Sequence, residues 1–167
     1  KFAAGYKVPF ISGKDSLYNE YTEKNKSTAI PGTILISAIG IMEDVTKAIT
    51  MDFKKAGNHI YIVGETFDEI GGSIYLDTYS LIGSSVPQVD VKKGTKIFNA
   101  LYQAANQNLI RSMHDCSEGG LGVALAEMAF SGGLGATVRL DRVPYKGKAK
   151  RSDYVLFAES NSRLVVE

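Results

Sequence analysis

The sequence predicts an α+β layer domain. Three observations carry that prediction: a compact β-branched run at 59–64 (HIYIVG), a long apolar helical repeat over 94–113, and strands and helices in mixed order separated by two-residue glycine turns. Taken in order, residues 1–6 read as the tail of a helix, and 8–12 as a short apolar strand bounded by Pro9. The strand runs into a polar turn, Gly13-Lys14-Asp15-Ser16. Residues 18–27 (YNEYTEKNKS) are polar and read as a solvated loop, punctuated by Pro31-Gly32. The following run, 33–42, is β-branched with little polar relief, the pattern of a strand buried on both faces. After a short connection at 43–49, the polar break 53–58 (FKKAGN) has the composition of a domain boundary.

Beyond the break, 59–64 is a strand, and Gly71-Gly72-Ser73 starts a short helix carrying Tyr75, Leu76 and Tyr79 that ends by 83–86. The long helix over 94–113 places Ile97, Leu101, Ala105 and Leu109 at fourfold spacing, with Phe98 and Tyr102 widening the stripe. Residues 114–130 (HDCSEGGLGVALAEMAF) join a polar, glycine-closed turn to an apolar helix. Ser117 is the expected N-cap, Glu118 supplies negative charge to the first turn, and Gly119 and Gly120 allow close backbone approach. Leu121, Ala124, Leu125 and Met128 form its buried stripe. Free N–H groups at such a turn suit a phosphate or carboxylate, but a capped helix packed closely on a sheet needs the same residues, so both readings stand. A glycine turn at Gly132-Gly133, a strand at 136–140, a basic loop through Lys146, Lys148, Lys150 and Arg151, the apolar 154–157 and a final strand at 163–167 complete the chain.

Composition limits the function classes. Nineteen basic and 18 acidic residues give a formal net charge of +1, which supplies no general electrostatic case for nucleic acid or an anionic membrane. The longest apolar run, 34–42, is far below the roughly 18 residues of a membrane span, and no signal peptide is visible. A single cysteine, Cys116, excludes an intrachain disulfide and a cysteine-based zinc cluster, so a reducing, cytoplasmic setting fits. Cys116 itself reads as a small half-buried residue beside a turn.

Three polar turns adjoin strands: GKDS at 13–16, HDCSEGG at 114–120 and ESNSR at 159–163. Carboxylates at such turns ligate hard cations, while backbone N–H groups and hydroxyls take phosphate oxygens. The first turn has a Gly-Lys pair without the upstream glycine a P-loop requires. His114-Asp115 reads as a structural hydrogen bond, since no nucleophile is placed beside it, and His59 as structural.

The segments VPFISGKDSLYNEY, IPGTILISAIGIMEDVTKAI, AGNHIYIVGETFDEIGGSIYL, HDCSEGGLGVALAEMAF and FAESNSRLVVE together closely resemble the C-terminal half of formylglycinamide ribonucleotide amidotransferase, also called phosphoribosylformylglycinamidine synthase. The likeness covers nearly the whole chain, and the ISGKDSLYNE turn separates it from the related aminoimidazole ribonucleotide synthetases. It implies a fragment of an aminoimidazole-ribonucleotide-synthetase-like fold, a mixed sheet with helices packed on one face. Residues 1–50 would be the end of an N-terminal-type, barrel-forming domain, and 52–167 a C-terminal-type α+β domain truncated at its end.

The resemblance also implies chemistry. ATP activates the amide oxygen of formylglycinamide ribonucleotide, and ammonia released from glutamine displaces phosphate to give the amidine, a carbon–nitrogen ligase step of purine biosynthesis. ATP and magnesium are the implied cofactors. The implied partners are the remainder of the synthetase, a glutaminase domain or subunit and small-molecule nucleotide substrates, together with self-association of the isolated fragment. No catalytic residue is expected within the chain, which would be inactive alone. Carried over by position, Gly13, Lys14 and Ser16 are nucleotide- or substrate-binding and Asp15 is the metal ligand, because this turn has no Asn in the place where many smaller relatives use one. Ser117, Glu118, Gly119 and Gly120 resemble a cleft-lining element, as does Glu159-Ser160. Two alternatives stand beside this: a non-catalytic half with a structural nucleotide site, and a related ATP-binding enzyme such as aminoimidazole ribonucleotide synthetase.

Overall fold

Lys24 and Asn25 both take positive φ, 46° and 65°, the backbone of a two-residue turn whose twist matches paired strands. The flanking residues therefore form an antiparallel hairpin, β1 (Glu20–Glu23) with β2 (Lys26–Ala29), Tyr21 opposite Thr28. This corrects the solvated loop expected for 18–27, although every strand residue is exposed. The computed structural model describes residues 1–14, 19–148 and 150–167, and the chain divides into two compact units, Lys1–Val45 and Thr46–Glu167.

In the first unit, α1 (Phe2–Tyr6) ends at Lys7 in the left-handed conformation. Neither the strand expected at 8–12 nor that at 33–42 forms, and Ile34, Leu35, Ile39 and Ile41 are 87–98% exposed. A strand buried on both faces needs neighbours along its edges and layers above and below; no described strand of this unit pairs with 33–42.

The second unit is built around a three-stranded antiparallel sheet in which β7 (Leu164–Val166) lies between β3 (Tyr61–Val63) and β5 (Met113–Asp115), so that Val166 faces Tyr61 on one side and Met113 on the other. A parallel pair, β4 (Thr66–Phe67) with β6 (Tyr145–Lys146), makes a second small sheet. The stripe on α4 (Gly120–Gly132) falls where its spacing places it: Leu121, Ala124, Leu125 and Met128 are all buried and pack with Phe53, Val143, Val155 and Val165. Gly132 lies against the Phe53 backbone, where an added Cβ would come within 2.4 Å of the carbonyl oxygen. Helix α5 (Ser152–Phe157) packs on α4, and Gly122 admits the Phe157 ring.

Two other expectations change. Helix α3 spans Val91–Asn106 rather than 94–113, because Asp90 caps it by accepting from Lys93 N (3.1 Å) and the left-handed Asn108 turns the chain away. Among its apolar residues Leu101 is buried while Phe98 and Tyr102 are exposed, and Leu109 lies past its end. At 136–140 no strand forms; Arg142 N bonds Arg139 O and Val143 N bonds Leu140 O, a local 3-10 turn at Leu140–Arg142 in place of ladder bonds. Short helix α2 (Ile74–Asp77) starts where expected, its Ser73 Oγ accepting from Leu76 N.

Candidate functional site

The first candidate turn lies in the smaller unit. Gly13 has open space where a Cβ would stand, and Lys14 is exposed, so both backbone and ammonium are accessible. Asp15 and Ser16 lie outside the described residues. Among the described residues no group of three His, Cys, Asp or Glu side chains could hold a metal ion.

The second turn is well defined. Gly119 and Gly120 both take positive φ, 75° and 62°, a conformation that costs a residue with a side chain about 1–2 kcal/mol. Gly120 also lies directly under the chain at 156–158: an added Cβ would stand 2.4 Å from Ala158 O and 2.9 Å from Leu156 O. The left-handed pair carries the chain into α4 with Gly119, not Ser117, at the N-cap, which corrects the capping assignment. Ser117 Oγ instead donates to the Asp115 carboxylate, and that bond is the main reason the Asp115 carboxyl sits below the usual range. Glu118 is exposed and precedes the first helical turn, so its charge is not within it. Gly119 and Gly120 are buried, and Gly120 N bonds Ser117 O at 3.0 Å.

Glu159 fills the centre of this region. Its Oε1 accepts from Gly119 N at 2.8 Å and from Ile74 N at 3.0 Å, linking the start of α4 to the Gly71-Gly72-Ser73 turn. Next to it, the fully buried Ser160 accepts from Phe67 N through Oγ (3.1 Å). Arg163 is 2% exposed and donates to Ser160 O (2.9 Å), to Thr66 Oγ1 (2.8 Å) and to Ala158 O. Burial pushes its pKa down, opposed by charges that include Glu69 and Glu159. Glu69 Oε1 accepts from Gln88 N, while its Oε2 is buried with no hydrogen-bond partner. The 159–163 turn is thus tied to the 117–120 turn within one unit. Thr66, Glu69 and Arg163 escaped sequence reasoning; the only signal for any of them was an arginine at the end of a polar loop, a place where exposure is the usual expectation.

The remaining polar candidates have neighbours within the second unit. His114 Nδ1 lies 3.2 Å from Asp115 Oδ1, and Nε2 lies 2.7 Å from Glu127 Oε2. His59 makes an edge contact with Tyr61. Cys116 is buried, and desolvation pushes its thiol up to about 11, a poor nucleophile. Three side chains of the basic loop are engaged internally: Lys146 pairs with Glu65 (2.8 Å), Arg151 with Asp153 (2.6 Å), and Lys150 Nζ bonds the carbonyls of Asp141 and Val143, while Lys148 is exposed.

A cleft of about 790 Å³ opens elsewhere in the second unit, with Leu121 and Val165 at its base and Lys55, His59, Arg139 and Arg142 among its lining residues. None of Ser117, Glu118, Gly119 and Gly120 lines it. A smaller cleft, about 230 Å³, is bordered by Glu65, Glu69, Lys93, Asn161 and Ser162. No helix among the described residues is long and apolar enough to cross a membrane.

Comparison with known proteins gives a consistent result. Residues 55–167 match the family described as AIR synthase related protein, C-terminal domain. The chain is 40% identical over 162 residues to phosphoribosylformylglycinamidine synthase subunit PurL of Caldanaerobacter subterraneus subsp. tengcongensis, covering 96% of this chain and 21% of that protein. Among solved structures it is similar to PurLQS from Thermotoga maritima (TM-score 0.60, 25% identity) and to T. maritima PurL complexed with ATP (TM-score 0.56, 25% identity). Each of these likenesses covers 72% of this chain and 19% of the solved one. The chain spans about a fifth of the length of the curated relatives it matches.

Proposed function

This chain belongs to the family of AIR synthase related proteins, and from that premise we propose that it is part of the ATP-dependent synthetase that converts formylglycinamide ribonucleotide to formylglycinamidine ribonucleotide in purine biosynthesis. The observation that carries the reading is the 40% identity to a PurL subunit over nearly the whole chain. Similarity to a PurL structure complexed with ATP supports ATP as the nucleotide. The enzyme so proposed is a cytoplasmic carbon–nitrogen ligase that takes ammonia from a glutaminase partner.

When bound, ATP supplies the phosphoryl group that makes the amide oxygen a leaving group. The chain's own contribution is positioning. Lys14 would neutralise phosphate charge beside the open backbone of Gly13, with Ser16 as a hydroxyl donor and Asp15 as the magnesium carboxylate. In the second turn Ser117 and Glu118 present the accessible side chains, while Gly119 and Gly120 shape the backbone. Residues 1–50 would belong to a barrel-forming domain and 52–167 to the C-terminal-type domain.

Heavy-oxygen labelling tests this reading in the intact protein. Label placed in the amide oxygen of formylglycinamide ribonucleotide should appear in the released phosphate, and its retention in the nucleotide product would overturn the assignment. A second reading is a half whose nucleotide is a permanent structural support, held elsewhere than at Gly119 N, which Glu159 already occupies. Under it the purified protein would retain a nucleotide that does not turn over with substrate.

A further inference from the structure

We infer that Glu159 is a positioning residue that acts as the internal anion of the 117–120 turn, locking it to the Gly71-Gly72-Ser73 turn and closing the start of α4 to phosphate from solution. A single carboxylate oxygen accepts from Gly119 N and Ile74 N, at 2.8 and 3.0 Å, from segments 40 and 85 residues away in sequence. The 13-residue α4 concentrates partial positive charge at its first turn, and the carboxylate meets it there.

The chain carrying Glu159 is held on both sides, so little conformational freedom is lost in placing the carboxylate. Glu159 N donates to Glu69 O at 3.2 Å, Ala158 O and Ser160 O both accept from the buried Arg163, and Ser160 Oγ accepts from Phe67 N. On the opposite side, Gly120 provides the space: any Cβ there would collide with Ala158 O and push the 158–159 backbone away. The turn, its two glycines and the arginine therefore form one device whose product is a fixed carboxylate on Gly119 N. Glu118, one residue before Gly119, is exposed and does not compete for that place. The anion that this turn was expected to hold is thus supplied by the chain, and an arriving ligand meets the Ser117 and Glu118 side chains instead. This goes beyond the proposed synthetase role and holds whether or not that role is correct.

Amide NMR of the intact protein carrying these 167 residues, titrated with inorganic phosphate, tests it. In the unsubstituted chain the Gly119 resonance should stay in place; in folded Glu159→Ala it should move saturably, with a midpoint at least about tenfold lower than any movement in the parent. Equal phosphate response at Gly119 in both proteins, or none in folded Glu159→Ala, overturns the inference. Glu159→Gln keeps an acceptor oxygen and removes the charge, which covers the case of an unfolded Ala variant. There hydrogen exchange should accelerate roughly fivefold at Gly119 and Ile74 together. Unchanged exchange at both amides, or a change at only one, would show that the carboxylate does not join the two turns.

Discussion

Replacing Gly120 with alanine should destabilise the second unit more than its single methyl group suggests. The backbone at Gly120 has φ +62°, which costs a non-glycine residue about 1–2 kcal/mol. The new Cβ would also stand 2.4 Å from Ala158 O, far inside contact distance. That carbonyl cannot retreat cheaply, because Ala158 N bonds Tyr154 O at 3.0 Å and Ala158 O accepts from Arg163. Relief of the clash must weaken the Arg163–Ala158 bond or pull Glu159 off Gly119 N, and a charge-assisted hydrogen bond is worth about 1.5–3 kcal/mol. The sum is about 2.5–5 kcal/mol, or a fall of roughly 10 °C or more in Tm for a unit of this size. Gly133→Ala is the control: φ is +63°, but nothing lies within 4 Å of the added Cβ, so only the backbone cost of about 1–2 kcal/mol applies. Urea and thermal melts followed by circular dichroism compare the two. If Gly120→Ala were no more destabilising than Gly133→Ala, the packing of 158–159 against the turn would be refuted.

Glu167 is 8% exposed and accepts from Lys54 N, Lys55 N, Asn58 Nδ2 and Ser112 Oγ at 2.7–3.1 Å. Burial works to raise its pKa, but these bonds together hold it below the usual glutamate range. A depressed folded value means that its stabilisation, complete above the unfolded pKa, is lost as pH falls through the folded one; Glu167→Gln should cost about 2 kcal/mol at pH 7 and flatten the stability profile below about pH 4.5, read from urea melts. In the intact protein, Asp15→Asn should lower nucleotide affinity in a way partly recovered by raising magnesium; equal affinities with the same magnesium dependence would remove Asp15 from the site. The isolated chain should self-associate through its exposed apolar residues at 34–42, so a strictly monomeric sizing profile at high concentration would count against that expectation.

What the sequence revealed follows the range of the interactions. The stripe on α4 and the strand around Tyr61 are written in local periodicity, so both were legible. The hairpin at 20–29 was missed because its flanks are polar and only Lys24-Asn25 signals the turn. The opposite error occurred at 33–42, where β-branched residues suggested a buried strand but no described neighbour pairs with them. On α3 the spacing of Phe98 and Tyr102 was right for a wide stripe, yet only part of that helix meets the core. Ser117 followed the usual preference for an N-cap, but Asp115 captured its hydroxyl and two left-handed glycines moved the helix start. Glu159 resembles a cleft-lining residue by position, but its anchoring role is not written in the sequence around it. Its bonds to Gly119 and Ile74 span 40 and 85 residues, beyond any local pattern.

Product formation by the intact protein carrying these 167 residues, given formylglycinamide ribonucleotide, ATP, magnesium and ammonia, decides whether this is the synthetase. Formylglycinamidine ribonucleotide should form, with phosphate released in equal amount, and no product should come from the isolated chain. ATP consumption with no amidine from that substrate, or phosphate release only when formylglycinamidine ribonucleotide is supplied and closed to an imidazole, would contradict it.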